Sequence, residues 1–400
     1  MLNTLGRSLA LAHPDANETI DADDAVLSGA SLAERLRALH DEMRADPQLR
    51  VLDRVAVAVY DPREDSLQSF IHSGDGANPL ARLTERLEAL PGLLDIARSG
   101  RAIVVNDMAA RPERHGPFTQ RLIDGGHRAR HIVPLRQHDE MYGFLCFNSN
   151  TANCFTPELL GRLQPYRRLI AMMVIGEIRA MRAMLAAVHT AREISHHRDE
   201  ETGAHLDRMA HYSRIIARGL AEQHRLSDEF IEFLFQYAPL HDVGKVAIPD
   251  QILLKPGRLT PDEFTVMKEH VAKGVAIIDA IQRDGGLRNL PHAVVLRNIV
   301  GCHHEAFDGT GYPNGMAGLD IPLEGRIVAV ADVFDALTSV RTYKDAWTNE
   351  AAVAHLREIA GTRLDPDCVH ALLSQMDAVA GVQRRFRDEA PTPVAGSVAA

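Results

Sequence analysis

Residues 240–264 read LHDVGKVAIPDQILLKPGRLTPDEF, and the second half of the chain is best read outward from them. His241 and Asp242 close the apolar run from Phe233 to Leu240. A histidine and an aspartate that end a buried segment are costly unless paired or metal-bound. Lys245 follows three and four residues on, in reach of whatever that pair holds. Thr260-Pro261-Asp262-Glu263 has capping-box form with proline at the first helical position, so a helix starts here. That helix carries His270 on a rigid element.

Polar clusters recur on both sides of this stretch. Upstream, Glu201 and His205 stand four apart, so on a helix they share one face and can grip one cation. Downstream, Cys302-His303-His304-Glu305 follows the apolar helix Val294 to Val300. Two consecutive histidines do not normally face one core, so one is solvated or both turn to a shared ligand. A glycine-rich loop, Phe307 to Gly315, comes next, with Gly309, Gly311 and Gly315 permitting positive φ. It reads as a pocket rim. Ile327 to Leu337 is an apolar helix holding Asp332 and Asp335, and buried carboxylates need a partner. Arg341 and Lys344 add positive charge shortly after.

Each cluster alone is compatible with a purely structural role. Together they place five histidines, a glutamate and two aspartates at separated points of one helical domain. Mixed nitrogen and oxygen ligation without thiolate suits Fe, Mn, Zn or Co better than Mg or Ca. Eight ligands exceed one ion, so two or three are implied. Such clusters activate water and clamp phosphoryl oxygens.

Composition frames this reading. A chain of 400 residues suggests two or three domains, and 46% hydrophobic with 24% charged residues is a globular composition. Lys+Arg 44 against Asp+Glu 54 gives a net charge of -10, which argues against a generic nucleic-acid binder. Four cysteines without a CxxC pair fit a reducing cytoplasm. No apolar run reaches the ~18 residues of a membrane span, and the N-terminal stretch is too weak for a secretory signal. Of the 20 histidines, His205, His241, His270, His303 and His304 belong to the clusters above.

The first domain has a different pattern. Residues 1–30 read as a mobile acidic lead-in, and the tail 386–400 reads the same way. Ser31 to Glu34 is a capping box that opens a helix with Leu32, Leu36, Leu39 and Met43 on one face. Val55–Tyr60, Leu67–His72 and Ala102–Asn106 read as strands, and Arg130–Leu135 with Met141–Phe147 as a hairpin. Thr156-Pro157-Glu158 then starts a helix. The expectation is an α+β domain over 31–175. The histidines of this stretch (72, 115, 127, 131 and 138) lack ligand spacing, and no residue set here identifies a ligand.

Residues 176–198 form a connecting helix. Val174, Ile178, Met181, Leu185 and Val188 make a two-heptad seam. It fits either an amphipathic helix packed on its own domain or a parallel dimer helix that carries a signal between domains.

The "RAIVVNDM" strand, the "HIVPL…GFLCF" hairpin and the "NCFTPELL" helix entry resemble a GAF domain, a fold that commonly senses small molecules or mediates dimerisation. The ordered segments "ETGAH", "LHDVGK…TPDEF", "MKEH", "HHEAFDGTGYPNG", "IPLEGRIVAVADVFDALTS" and "RTYK" resemble the HD-GYP family of the HD phosphohydrolase superfamily. That resemblance implies an all-α bundle over 199–385 that hydrolyses the bacterial second messenger cyclic di-GMP, to the linear dinucleotide pGpG or on to GMP. It implies two or three divalent metal ions, most readily Fe or Mn. His241, Asp242, His270, His303, His304 and Asp332 would ligate them, with Glu201 and His205 serving a third. Lys245 and Asp242 take the catalytic roles. Arg341, Lys344, Asp335 and the loop Gly311-Tyr312-Pro313 would meet the substrate, and the loop is linked to docking of diguanylate cyclases. The whole is then a cytoplasmic homodimer that binds neither nucleic acid nor membrane, with an unknown small molecule on its GAF-like domain. Two alternatives stand beside it: a cyclic di-GMP receptor or docking scaffold with little turnover, and a phosphodiesterase for a hybrid such as cyclic GMP-AMP.

Overall fold

The computed structural model describes residues 30–110, 116–194, 203–284, 292–340 and 346–387. Glu201, Arg341, Lys344, most of the acidic lead-in, the His196-His197 pair and nearly all of the tail lie outside them.

An antiparallel six-stranded sheet organises the first domain, in the order β3-β2-β1-β6-β5-β4. Its strands are β1 (Arg54–Asp61), β2 (Ser66–Gly74), β3 (Thr84–Arg86), β4 (Ile103–Val105), β5 (Ala129–Gln137) and β6 (Glu140–Ser149). Alternation of side chains sends one set to each face. Val55, Val57, Ile71, Leu145 and Phe147 face the main core. Helix α1 (Leu32–Ala45) covers them with the predicted Leu32, Leu36, Leu39 and Met43, and both halves of its Ser31–Glu34 capping box form. The other face is covered by α2 (Pro91–Ser99) and α3 (Pro117–Asp124) and holds smaller clusters.

Helix α4 (Pro157–Ile194) is a single rod from the first domain towards the second. Its seam residues Val174, Ile178 and Met181 are buried within one chain, so this seam is spent on the protein's own core. The rod lies against β5, β6 and the turn Val243–Ala247.

The second domain is helical: α5 (Gly203–Leu220), α6 (Asp228–Tyr237), α7 (Asp250–Leu253), α8 (Pro261–Asp284), α9 (Ala293–Cys302), α10 (Leu323–Thr338), α11 (Asn349–Ile359), α12 (Pro366–Leu373) and α13 (Met376–Arg385). The Thr260 capping box is complete, Thr260 N donating to Glu263 Oε2 at 2.7 Å and Glu263 N to Thr260 Oγ1 at 3.3 Å. The stretch 281–290 reads from its sequence as an inter-helix loop; residues 281–284 are instead the last turn of α8, and 285–290 lie outside the described residues. Among the described residues no helix is long and apolar enough to cross a membrane.

The two domains share one apolar core. Phe70 of β2 meets Phe233 of α6 with ring centroids 6.0 Å apart. Leu32 N donates to Glu229 Oε1 at 3.1 Å, His211 Nε2 lies 3.2 Å from Glu64 Oε1, and Arg218 donates to Thr84.

Candidate metal centre

The candidate ligands come from five places that the fold brings to one point. The apolar face of α6 drives the chain into the interior, and a 3-10 turn, Ala238–Leu240, delivers His241 and Asp242 there. His270 comes from α8, His303 and His304 from the end of α9, Asp332 from α10 and His205 from α5. Gly244 lets the following turn, Val243–Ala247, touch α8: a Cβ there would overlap the His270 carbonyl oxygen and the Gly274 nitrogen.

These residues form two groups of potential ligand atoms, each within 4.8 Å: Asp242 with His270, His303 and His304, and His205 with His241 and Asp332. The groups join at His241 and Asp242, whose Nε2 and Oδ2 are 3.3 Å apart. Asp242 Oδ1 faces the other way, 3.1 Å from His270 Nε2 and 3.5 Å from His303 Nε2. One carboxylate therefore spans both groups.

The rings are aimed by their second nitrogens. His270 Nδ1 donates to Met267 O at 2.8 Å, His241 Nδ1 to Ala238 O at 3.0 Å, and His303 Nδ1 to Ile299 O at 3.1 Å. A backbone acceptor at Nδ1 leaves Nε2 as a lone pair, the tautomer a metal ligand needs. Asp242 Oδ1 and the Nε2 atoms of His270 and His303 are buried and make no hydrogen bond. Buried polar atoms are rarely orphaned, and acceptors turned towards one another fit a cation between them. The donor set of imidazole and carboxylate suits a divalent metal.

Electrostatics agree with that arrangement. Burial opposes ionisation of Asp242, yet Lys245 and His241 hold its carboxyl well below the usual range. Lys245 Nζ is 2.7 Å from Asp242 Oδ2. Burial, with His303 alongside, pushes His304 down to about 2, so its ring is neutral. Desolvation lowers His303 as well.

Asp335 is placed differently from the expectation. Its carboxylate accepts from His205 Nδ1 at 2.7 Å and from Arg208 Nε at 2.5 Å and Nη2 at 3.0 Å. It stands behind His205 and orients it, not towards a substrate. Arg208, one turn beyond His205 on α5, was missed; its signal was a charge on an otherwise buried helical face.

The glycine loop closes one side. Tyr312 N donates to His304 O at 3.1 Å, and the two rings are 4.8 Å apart. Glu305, also missed, anchors the loop by accepting from Asn314 N at 2.8 Å and Met316 N at 3.0 Å. Gly309 and Gly315 have positive φ, as expected. Gly311 does not; it is required because a Cβ would strike the Ala306 nitrogen.

Residues 183–368 match the HD domain family and residues 29–174 the GAF domain family. The chain joins a GAF domain to an HD domain. Its relatives include a cyclic di-GMP phosphodiesterase response regulator of Xanthomonas campestris, 45% identical over 218 residues that cover 54% of each chain. A cyclic di-GMP phosphodiesterase of Vibrio cholerae is 40% identical over 55% of this chain and 47% of its own. A 3'3'-cGAMP-specific phosphodiesterase of the same organism is 42% identical over 48% and 34%. The chain spans about half the length, or less, of these curated relatives.

Proposed function

We propose that this GAF–HD protein is a cytoplasmic, metal-dependent phosphodiesterase of the HD-GYP type that hydrolyses cyclic di-GMP to pGpG or GMP. The observation that carries the proposal is the pair of ligand groups joined through His241 and Asp242. Two or three divalent ions, Fe or Mn by donor type, would be held by His205, His241, Asp242, His270, His303, His304 and Asp332, with Glu201. Bound there, they would supply Lewis-acid stabilisation and an activated water. Asp242 spans both groups and fixes their spacing. Lys245, held beside Asp242, offsets charge that develops on the phosphoryl oxygens. Tyr312, Gly311 and Pro313 shape the opening beside His304, and Arg341 and Lys344 would grip the outer phosphates.

Purified protein reconstituted anaerobically with Fe or Mn should hydrolyse cyclic di-GMP, and Asp242→Ala should not. Undiminished turnover by Asp242→Ala would overturn the assignment. The relative specific for 3'3'-cGAMP favours a second reading, hydrolysis of that hybrid dinucleotide. Competition between the two cyclic substrates decides between them.

The finer assignments are part of the same proposal. A small molecule on the GAF domain sets the activity, and the Tyr312 loop contacts diguanylate cyclases. A homodimer would use the exposed side of α4, where Leu169 and Met172 lie, because the predicted seam is already covered.

A further inference from the structure

The GAF sheet carries a polar row on the face turned away from α1. Arg54, Asn148 and Arg130 occupy matched register positions on the neighbouring strands β1, β6 and β5. Their side chains therefore leave the same face side by side. Cys146 and His72 stand two residues further along that face, both opposite Ala56. Apolar side chains outside the main core fall into two further clusters, one with Leu67, Leu93 and Phe144, the other with Leu80, Met108 and Leu122.

This row is rich in donors and poor in acceptors. Arg54 Nη1 donates to Asn148 Oδ1 at 2.9 Å and Nη2 to Asn78 Oδ1 at 2.7 Å. Arg54 Nε, Arg130 Nε and Asn148 Nδ2 are buried with no hydrogen-bond partner. Arg54 is only 5% exposed. Among the described residues no carboxylate pairs with either arginine; the group that acts on both is Cys146. Burial pushes the Cys146 thiol up, so it is neutral and gives no counter-charge. Burial pushes Arg54 down to about 10, which leaves it a cation near neutrality. The backbones of the two arginines are two strand spacings, about 10 Å, apart on this face. A buried cation, Arg54, beside a half-buried one, Arg130, with no counterion among the described residues is expensive, and planar guanidinium forks match oxyanions.

We propose that Arg54, Arg130 and Asn148 form the ligand site of the GAF domain and that its ligand is a small molecule bearing an oxyanion, a carboxylate or a phosphoryl group. This site rests on the GAF residues alone and stands whether or not the HD domain hydrolyses cyclic di-GMP.

The test is calorimetric titration of the full chain with inorganic phosphate and, separately, succinate, paired with thermal melting. At least one of the two should bind and raise the melting midpoint; phosphate alone marks a phosphoryl ligand, succinate alone a carboxylate. Arg130→Met should weaken that binding at least ~10-fold. Without ligand, its midpoint should equal or exceed that of the parent, because an uncompensated charge has been removed. The proposal is overturned if neither anion binds the parent chain at 10 mM, if Arg130→Met retains the binding, or if Arg130→Met fails to fold.

Discussion

Replacing Asp335 by Asn tests the reading of the second ligand group, because it keeps the shape and changes only donors and charge. Asp335 Oδ2 takes His205 Nδ1 and Arg208 Nη2, while Oδ1 takes Arg208 Nε. An amide has one acceptor, so its NH2 must meet either Arg208 or His205 donor to donor. Facing His205, it favours the tautomer protonated on Nε2, which cannot ligate. Loss of such an orienting partner lowers metal affinity by about 10–100-fold, roughly 1.4–2.7 kcal/mol. The Arg208 guanidinium, 4% exposed, also loses its carboxylate, and breaking a buried pair from one side costs about 3–5 kcal/mol. Chelator competition measures the first effect and urea denaturation of the metal-free chain the second. The double variant Arg208→Met with Asp335→Asn should recover much of the stability and none of the metal affinity. Unchanged metal affinity together with an unchanged urea midpoint in Asp335→Asn would refute the argument.

Three further outcomes are expected. Gly244→Ala should fold poorly or lose metal, since its Cβ overlaps the His270 carbonyl; circular dichroism and metal content report both. Glu305→Gln removes the charged acceptor of two loop amides and should raise KM for the cyclic dinucleotide more than it lowers kcat, as steady-state kinetics would show. Burial holds His131 of the GAF sheet at about 4, below its ordinary value near 6.5. A depressed histidine contributes stability that is intact above the unfolded pKa and is lost as pH falls through the folded one. His131 should therefore cost up to about 3 kcal/mol between pH 6.5 and 4, and His131→Phe should flatten that part of the urea stability profile.

The clustering of the candidate residues was legible because His241, Asp242, His303 and Asp332 are polar residues beside or within apolar runs, and such a residue asks for a partner. Period alone could not divide the work of Asp332 and Asp335: three apart on α10, they share a face, and only packing against α5 turns one to Arg208. Gly311 looked like a turn glycine, whereas the tight contact with Ala306 needs the full backbone path. Strand β3, Thr84–Arg86, has no alternation to read and exists through its pairing with β2. The Arg54–Asn148–Arg130 row was hidden because its members lie on three strands whose register no local pattern gives. The α4 seam was read correctly as apolar, but one chain supplies its cover.

Helix α5 carries more than a ligand. His205 sits near its start, while His211 and Arg218 further along touch Glu64 and Thr84 of the GAF domain. Thirteen residues of helix span about 20 Å, so GAF contacts and a candidate metal ligand ride on one stiff rod. A second rod, α4, runs from the GAF sheet to the turn that follows Asp242. The GAF domain thus holds both ligand groups from outside, one through each helix. A ligand that tilted the sheet would change the separation of the two groups rather than the identity of any candidate ligand. Control of the proposed activity would then be control of a distance, and an HD half cut free of its GAF domain would lose the frame that sets it.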